Sequence, residues 1–176
     1  MGFLYFDTKD VGGNAGMFDQ LMALQWVHDN IAQFGGNPDN ITLFGESAGG
    51  AAVSLHLLSP LSRNLFSQAI MQSASAIVPW GIITQEEAIM RGLRLAEIVK
   101  CPHDRKQLRK VIDCLRTKNA TELVNAEWSG IVFGIAEFPF VPVIDGAFLD
   151  ETPRESMRTK NFKKTNIMMG KSHLCK

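Results

Sequence analysis

The chain has 176 residues, enough for one ordinary domain with a real core, and its 45% hydrophobic and 20% charged content is that of a soluble globular protein. Lys plus Arg and Asp plus Glu number 18 each, so the formal net charge is +0, a balance that argues against nucleic acid as a partner. The apolar runs are too short to cross a bilayer, and the N-terminal MGFLYFDTKD has neither the basic region nor the small-residue cleavage site of an export signal, so no transmembrane segment and no signal peptide are expected in these residues.

Residues 2–6, GFLYF, are an apolar and aromatic run closed by the polar DTKDVGGN turn, the pattern of a buried strand. Between 16 and 34 the spacing turns helical: Phe18, Leu21, Leu24 or Gln25, His28 and Ile31 follow one face, and Gly35-Gly36-Asn37-Pro38 stops the helix. Trp26 sits mid-helix beside that stripe and is expected in the core. Residues 41–44 are short, apolar and rich in strand formers, so strand, helix and strand follow in order. That is a βαβ unit, which implies a parallel sheet buried on both sides. A second alternation follows, with a helix over 48–58, a strand over 68–71 and its flanks, and a helix over 84–99 with Thr84 as N-cap and Glu87 three residues later. After Cys101 the texture changes. Residues 107–116 and 120–127 read as short helices, and EFPFVPVIDG, 137–146, carries prolines that forbid a central strand, so an extended loop is expected there. Residues 166–169 read as a last strand. There is no internal repeat and no low-complexity linker.

Three cysteines are present. Cys101 and Cys114 close a short polar loop, CPHDRKQLRKVIDC, whose spacing fits a local disulfide better than a metal site because no second Cys/His pair sits nearby. A reducing compartment would leave both as thiols, with Cys175 a further free one.

The stretch NITLFGESAGGAAVSLHLL, 40–58, sets one serine between glycines at the join of a strand and a helix. Gly45 lies two before Ser47 and Gly49 two after, the arrangement a sharp strand-to-helix turn needs. Side chains at those two positions would clash, and the serine is held in a strained conformation with its hydroxyl exposed, a nucleophile elbow. The turn also aims the first amides of the following helix at the serine, so Ala48 N–H is the expected oxyanion donor. A bare five-residue pattern arises by chance in glycine-rich loops; the strand before it and the helix after it favour the nucleophile.

FGGNPDNITLFGESAGG, 34–50, resembles the serine signature of the type-B carboxylesterases, and GNAGMFDQLMALQWVHDNI is similar to that family's helix before the nucleophile strand. LLSPLSRNLFSQAIMQS, the Cys101 to Cys114 loop and EFPFVPVIDGAFL extend the resemblance up to Gly170, and within the family the acetylcholinesterases of arthropod type are the most similar group. The resemblance implies an α/β fold: an incomplete α/β-hydrolase domain over 1–170, with a mostly parallel sheet and flanking helices, and a divergent tail over 171–176. It implies hydrolysis of a small-molecule ester, a choline ester, through an acyl-enzyme on Ser47, with Ala48 as one oxyanion donor and no cofactor or metal. Glu46 would help hold a cationic substrate; Trp80 and Phe138 match acyl-pocket positions and Trp128 the tryptophan at the gorge rim, and aromatic faces do bind quaternary ammonium. From the residues alone, Trp80 and Phe138 equally fit ordinary core aromatics. The resemblance also implies a secreted or cell-surface protein with a Cys101–Cys114 disulfide, and the N-glycosylation sequons at Asn40 and Asn119 agree with export. Ala74, Gly12 and Ala136 depart from the family pattern, which bears on substrate size preference.

On this fold the orienting acid and then the catalytic histidine follow the serine. His56 lies on the helix that Ser47 opens, roughly 13 Å along its axis and beyond hydrogen-bond reach. His103 belongs to a solvated turn and His173 to the tail, while Asp145 and Asp150 read as turn residues. Neither the upstream His-Gly-Gly-Gly type loop nor the principal tryptophan of the choline site is recognised. The expectation is a segment of a serine ester hydrolase that does not turn over by itself; the alternatives are a cholinesterase-like adhesion or binding module without catalysis, and a truncated product without independent function.

Overall fold

The computed structural model describes residues 1–129 and 137–172. Among those residues are five strands, β1 (Tyr5–Thr8), β2 (Val11–Gly12), β3 (Thr42–Glu46), β4 (Gln68–Gln72) and β5 (Ile167–Gly170), and six α-helices, α1 (Ala15–Asn30), α2 (Ala48–Leu58), α3 (Gln85–Ile98), α4 (Leu108–Thr117), α5 (Ala120–Ala126) and α6 (Pro153–Thr159). Ala136, His173 and Cys175 lie outside the described residues. The chain forms two compact units, one from Met1–Ala15 with Ile83–Val143, the other from Gly16–Ile82 with the described part of Ile144–Lys176.

In the first unit β1 and β2 pair antiparallel, Tyr5 opposite Gly12 and Thr8 opposite Val11. The strand expected at 2–6 therefore begins later, and its partner is part of the segment expected as a turn. Lys9 and Asp10 make a loop short enough to fold the chain back on itself, and Thr8 Oγ1 accepts the Val11 N–H at 3.2 Å. The βαβ unit expected from 2–6 to 41–44 is thus replaced by a local hairpin, although Tyr5 and Phe6 are both buried, as a strand covered on both faces requires. Helix α3 packs on β1, and Gly92 explains how: a Cβ there would lie 2.7 Å from Phe6 Cζ, so the ring occupies the room a side chain would take. Thr84 caps α3 by accepting the Glu87 N–H at 3.2 Å. The core gathers Phe6, Leu93, Leu95, Val111, Ile112 and Leu115, and the Cys101–Cys114 disulfide, with 5.7 Å between its Cα atoms, ties the end of α3 to α4. Residues 137–143 run on without strand or helix, as their prolines demanded.

The second unit holds a parallel sheet ordered β3-β4-β5. The crossover β3–α2–β4 is a βαβ unit, and β4, the central strand, buries Ala69 and Met71 against Val53 and Leu57 of α2 and Leu24 of α1. The alternate positions Phe44 and Met168, aligned through Ile70, are exposed. Helix α1 tightens into a 3-10 turn over Ile31–Phe34 and ends at Gly35, whose φ of 81° is the left-handed conformation that glycine adopts freely. Trp26 is 55% exposed and leans on Phe34 at 6.1 Å between ring centroids, so it is not a core residue. It lies two positions beyond buried Leu24, roughly 200° around the helix and away from the packed face. Helix α6 was not foreseen: Thr152 accepts the Glu155 N–H and Pro153 occupies the first turn, a legible start signal, but seven residues are too few to show a period. No helix among the described residues is long and apolar enough to cross a membrane.

Candidate active site

Strand β3 ends at Glu46 and α2 begins at Ala48, leaving Ser47 alone to make the turn. It does so at φ 54° and ψ −121°, a positive φ that is costly for a residue with a Cβ and is sustained only when the surroundings dictate it. Two hydrogen bonds do so. Ser47 N–H donates to Gln72 O at 2.9 Å, extending the β3–β4 ladder by one residue, and Ser47 O accepts the Ala51 N–H at 3.0 Å, opening the helix. The side chain takes no part in capping α2 and is half-buried, so its hydroxyl is not consumed by the helix it begins.

The glycines share the steric burden differently from the expectation. A Cβ on Gly45 would lie 2.4 Å from the carbonyl carbon and oxygen of Gly49, an impossible contact with backbone. Gly49 itself faces open space, whereas a Cβ on Gly50 would sit 2.9 Å from Gln72 O. The positions at which a side chain cannot enter are thus 45 and 50. The difference follows from direction: Gly45 points at the helix backbone, Gly50 points at β4, and Gly49 points at neither. Ala48 N–H is one of the first amides of α2, a group with no intrahelical acceptor, and it adjoins the serine at the positive end of the helix dipole.

Glu46 is exposed at the end of β3, and Trp80, in the same unit, is half-buried. Ser73, directly after β4, also has a positive φ, 59°, and its N–H donates to Gly170 O at 2.8 Å. Ser54 on α2 accepts the Ala76 N–H at 2.8 Å, which fastens the loop after β4 to the helix that Ser47 opens. These turns lie at the carboxyl ends of parallel strands, where open α/β sheets bind ligands.

His56, the histidine on α2, is buried with its Nε2 against Gln20 Oε1 at 3.3 Å and its ring edge-on to Phe148 at 5.3 Å. Burial lowers its pKa from 6.5 to about 4, so it is a neutral packed residue. His103 is exposed beside Cys101 O. Asp145 is a turn residue: one carboxylate oxygen, Oδ1, accepts the N–H groups of Ala147, Phe148 and Leu149 at 3.0 to 3.2 Å. Asp150 is exposed between that turn and α6. Among the described residues no cluster of three or more His, Cys, Asp or Glu is arranged to hold a metal ion.

Trp128 and Phe138 belong to the first unit. Trp128 is 58% exposed and Phe138 38%, and their rings meet edge to face at 6.0 Å between centroids. They are therefore an exposed aromatic pair and not core residues. Asn40, at the end of a 3-10 turn, and Asn119, whose side chain accepts the Thr121 N–H to cap α5, are both exposed.

A parallel sheet whose strand passes directly into a helix through a strained serine defines an α/β protein with a candidate nucleophile at the carboxyl end of the sheet. The chain belongs to the carboxylesterase family, whose model matches residues 1–174. This is an α/β-hydrolase family, and the three-stranded parallel sheet with flanking helices is consistent with that fold. The chain is 46% identical over 170 residues to Cholinesterase 2 of Branchiostoma lanceolatum, covering 97% of this chain and 50% of that protein. It is 43% identical over 174 residues to Cholinesterase 1 of the same organism, covering 97% and 49%. To the acetylcholinesterase of Electrophorus electricus it is 46% identical over 171 residues, covering 96% of this chain and 27% of that protein. The chain thus spans about half the length of the first two relatives and about a quarter of the third.

Proposed function

We propose that these residues are part of a serine carboxylic-ester hydrolase acting on choline esters, in which Ser47 is the acylated nucleophile. The observation that carries this reading is the positive φ of Ser47 between β3 and α2, held by the Gln72 and Ala51 hydrogen bonds. A strained, uncapped serine at a helix start is costly for a module that only binds or adheres, which favours catalysis over a non-catalytic role. The similarity to a cholinesterase and to an acetylcholinesterase supports the ester class.

In this reading Ser47 Oγ adds to the ester carbonyl carbon and gives up its proton to a histidine base, which an acid orients. The oxyanion accepts the Ala48 N–H, where the helix dipole adds a favourable field. The alcohol then leaves with the proton, and water hydrolyses the acyl-serine by the same steps in reverse order. His56 is not that base, since its ring is buried against Gln20 and Phe148. The reading assigns base and acid to no described residue, treats 1–170 as part of one α/β-hydrolase domain with Ser47 in its nucleophile elbow, and calls for no cofactor or metal. In this reading Glu46 adds attraction for a cationic head group, and it is the family resemblance that assigns Trp80 and Phe138 to acyl-pocket positions and Trp128 to the gorge rim. The disulfide, stable in oxidising compartments, and the exposed sequon residues Asn40 and Asn119 support export to the cell surface or beyond.

The test uses the natural protein that carries these residues. An organophosphate probe is expected to modify Ser47, located by peptide mass mapping, and Ser47→Ala is expected to lower kcat on the order of a millionfold while the fold persists. Glu46→Gln is expected to weaken hydrolysis of choline esters more than that of neutral esters of equal size. Labelling at another residue, or activity retained without Ser47, overturns the assignment.

A further inference from the structure

The formal charge balance of +0 is not spread evenly along the chain. Between Lys100 and Lys118 stand seven of its 18 Lys and Arg residues and only two side-chain carboxylates, Asp104 and Asp113. Within that stretch DRKQLRKV, 104–111, sets two basic pairs, Arg105-Lys106 and Arg109-Lys110, with two uncharged residues between them. A row of cations this dense is the electrostatic footprint of an extended polyanion. Such a run is usually no more than a solvated helix face, so the geometry decides.

The fold turns the spacing into a surface. Arg105–Gln107 form a 3-10 turn that Asp104 opens by accepting the Lys106 N–H at 2.9 Å, and α4 continues directly from Leu108. At roughly 100° per residue, Lys106, Arg109 and Lys110 fall within about 100° of arc, opposite Val111, Ile112 and Leu115. Those three apolar side chains are buried in the core of the unit, and all four cations of the two pairs are exposed. Cys101 and Cys114 bracket both pairs. Their disulfide fixes the segment before any ligand arrives, which lowers the ordering cost of binding.

The four cations are not equally available. Arg105 is held by both carboxylate oxygens of Glu86, and Arg109 by Asp10 at 3.0 Å and by Asp113, on the same face, at 3.2 Å. Asp104 spends its carboxylate on the Lys106 N–H and on the Gln107 side chain at 3.0 Å. Lys106 and Lys110 make no ion pair among the described residues. They stand one helical turn apart, close enough for both ammonium groups to meet one stretch of a ligand.

We propose that this face binds a sulfated polysaccharide of the glycosaminoglycan type, with Lys106 and Lys110 as its principal contacts. Three features favour that class over other polyanions. Residues 100–118 contain no Phe, Trp or Tyr on which nucleic acid bases would stack. The apolar residues of α4 pack into the core, which leaves none on the basic face to enter a lipid layer. The disulfide belongs to oxidising compartments, and sulfated polysaccharides are displayed outside the cell. That third feature rests on the reading of export; the binding chemistry does not.

The experiment measures binding of a heparin decasaccharide by calorimetry at several salt concentrations, in the natural protein that carries these residues. Lys106→Gln combined with Lys110→Gln is expected to weaken binding about tenfold at physiological ionic strength and to reduce the salt slope by about two. Both side chains are exposed, so the unfolding midpoint is expected to stay in place. Lys160→Gln combined with Lys164→Gln removes the same charge from exposed positions of the second unit and is expected to leave the affinity unchanged. Recovery of the protein outside the cell tests the export reading separately. No loss in the first double variant, or an equal loss in both, overturns the proposal, as does desulfated heparin binding as tightly as heparin. Equal affinity for single-stranded DNA or for phosphatidylserine vesicles, lost in the same variant, overturns the assignment to a polysaccharide.

Discussion

A Cβ placed on Gly45 would lie 2.4 Å from the carbonyl carbon of Gly49, whereas one placed on Gly49 would meet nothing within 4 Å. The two glycines that flank Ser47 symmetrically in the sequence are unequal in space. Gly45 passes under the helix backbone, and the next residue barred from a side chain is Gly50, which faces Gln72 on β4.

Gly45→Ala and Gly50→Ala are therefore expected to be strongly destabilising, because the obstructing atoms are backbone and cannot swing aside; a cost of roughly 3 kcal/mol or more each is the scale of overpacking without relief. Gly49→Ala lies in the first turn of α2 with room for its methyl and is expected to be neutral or stabilising by up to about 1 kcal/mol. Urea unfolding of the three variants checks the order. Equal damage at 49 and 45 would contradict the asymmetry.

The buried imidazole of His56 makes stability depend on acid. Its pKa in the fold is about 4 against the ordinary 6.5, lowered by burial. Below pH 6.5 the unfolded chain takes up a proton that the folded chain refuses, so the contribution of neutral His56 is whole above 6.5 and is lost as the pH falls toward 4. The gap between 6.5 and about 4 corresponds to roughly 3 kcal/mol in all. Denaturation midpoints are expected to fall across this interval in the wild type and to fall less in His56→Gln, which keeps a polar group toward Gln20 and cannot titrate. Parallel profiles for the two proteins would show that another group titrates.

The disulfide joins residues 13 apart in sequence, Cys101 at the end of the α3 turn and Cys114 on α4. Closing a loop of this length removes unfolded-state entropy worth roughly 3 kcal/mol. Replacing both cysteines by alanine is expected to lower stability by about that amount, with a smaller additional loss from the packing of buried Cys101. Equilibrium unfolding with and without reductant measures it, and peptide mapping of unreduced protein is expected to recover the two cysteines in one linked fragment. Wild-type stability unaffected by reductant would count against a constraining role.

Much of this was legible because it is local. Helix α2 was expected over 48–58 and forms there, since a glycine-flanked turn announces its start and a largely apolar run follows. Thr84 and Glu87 mark the start of α3 by a hydrogen bond that needs only three residues to exist. The two prolines of EFPFVPVIDG kept 137–146 out of a sheet, as a missing N–H must. Asp145 was read as a turn residue and holds three successive amides. By contrast Trp26 was misread as core, because membership of an apolar stripe is settled by angle around the helix, and nearness in sequence is a poor guide to it.

What the sequence determined by itself is the membership in the family, the strand–serine–helix order around Ser47, the caps, and the cysteine pair close enough to bridge. Each is written in residues within a few turns of one another, where sterics and hydrogen bonding allow few outcomes. Tertiary structure decided the rest. It paired Tyr5–Thr8 with Val11–Gly12 rather than with a distant strand, barred side chains at Gly45 and Gly50 but not at Gly49, buried His56 between Gln20 and Phe148, and set Arg91 under the carbonyls of Phe138 and Pro139. These relationships, apart from the hairpin, depend on which atom a neighbouring element brings within reach. Chain order leaves that open, because a carbonyl 47 residues away and a solvent molecule satisfy an arginine equally well until the core excludes the water.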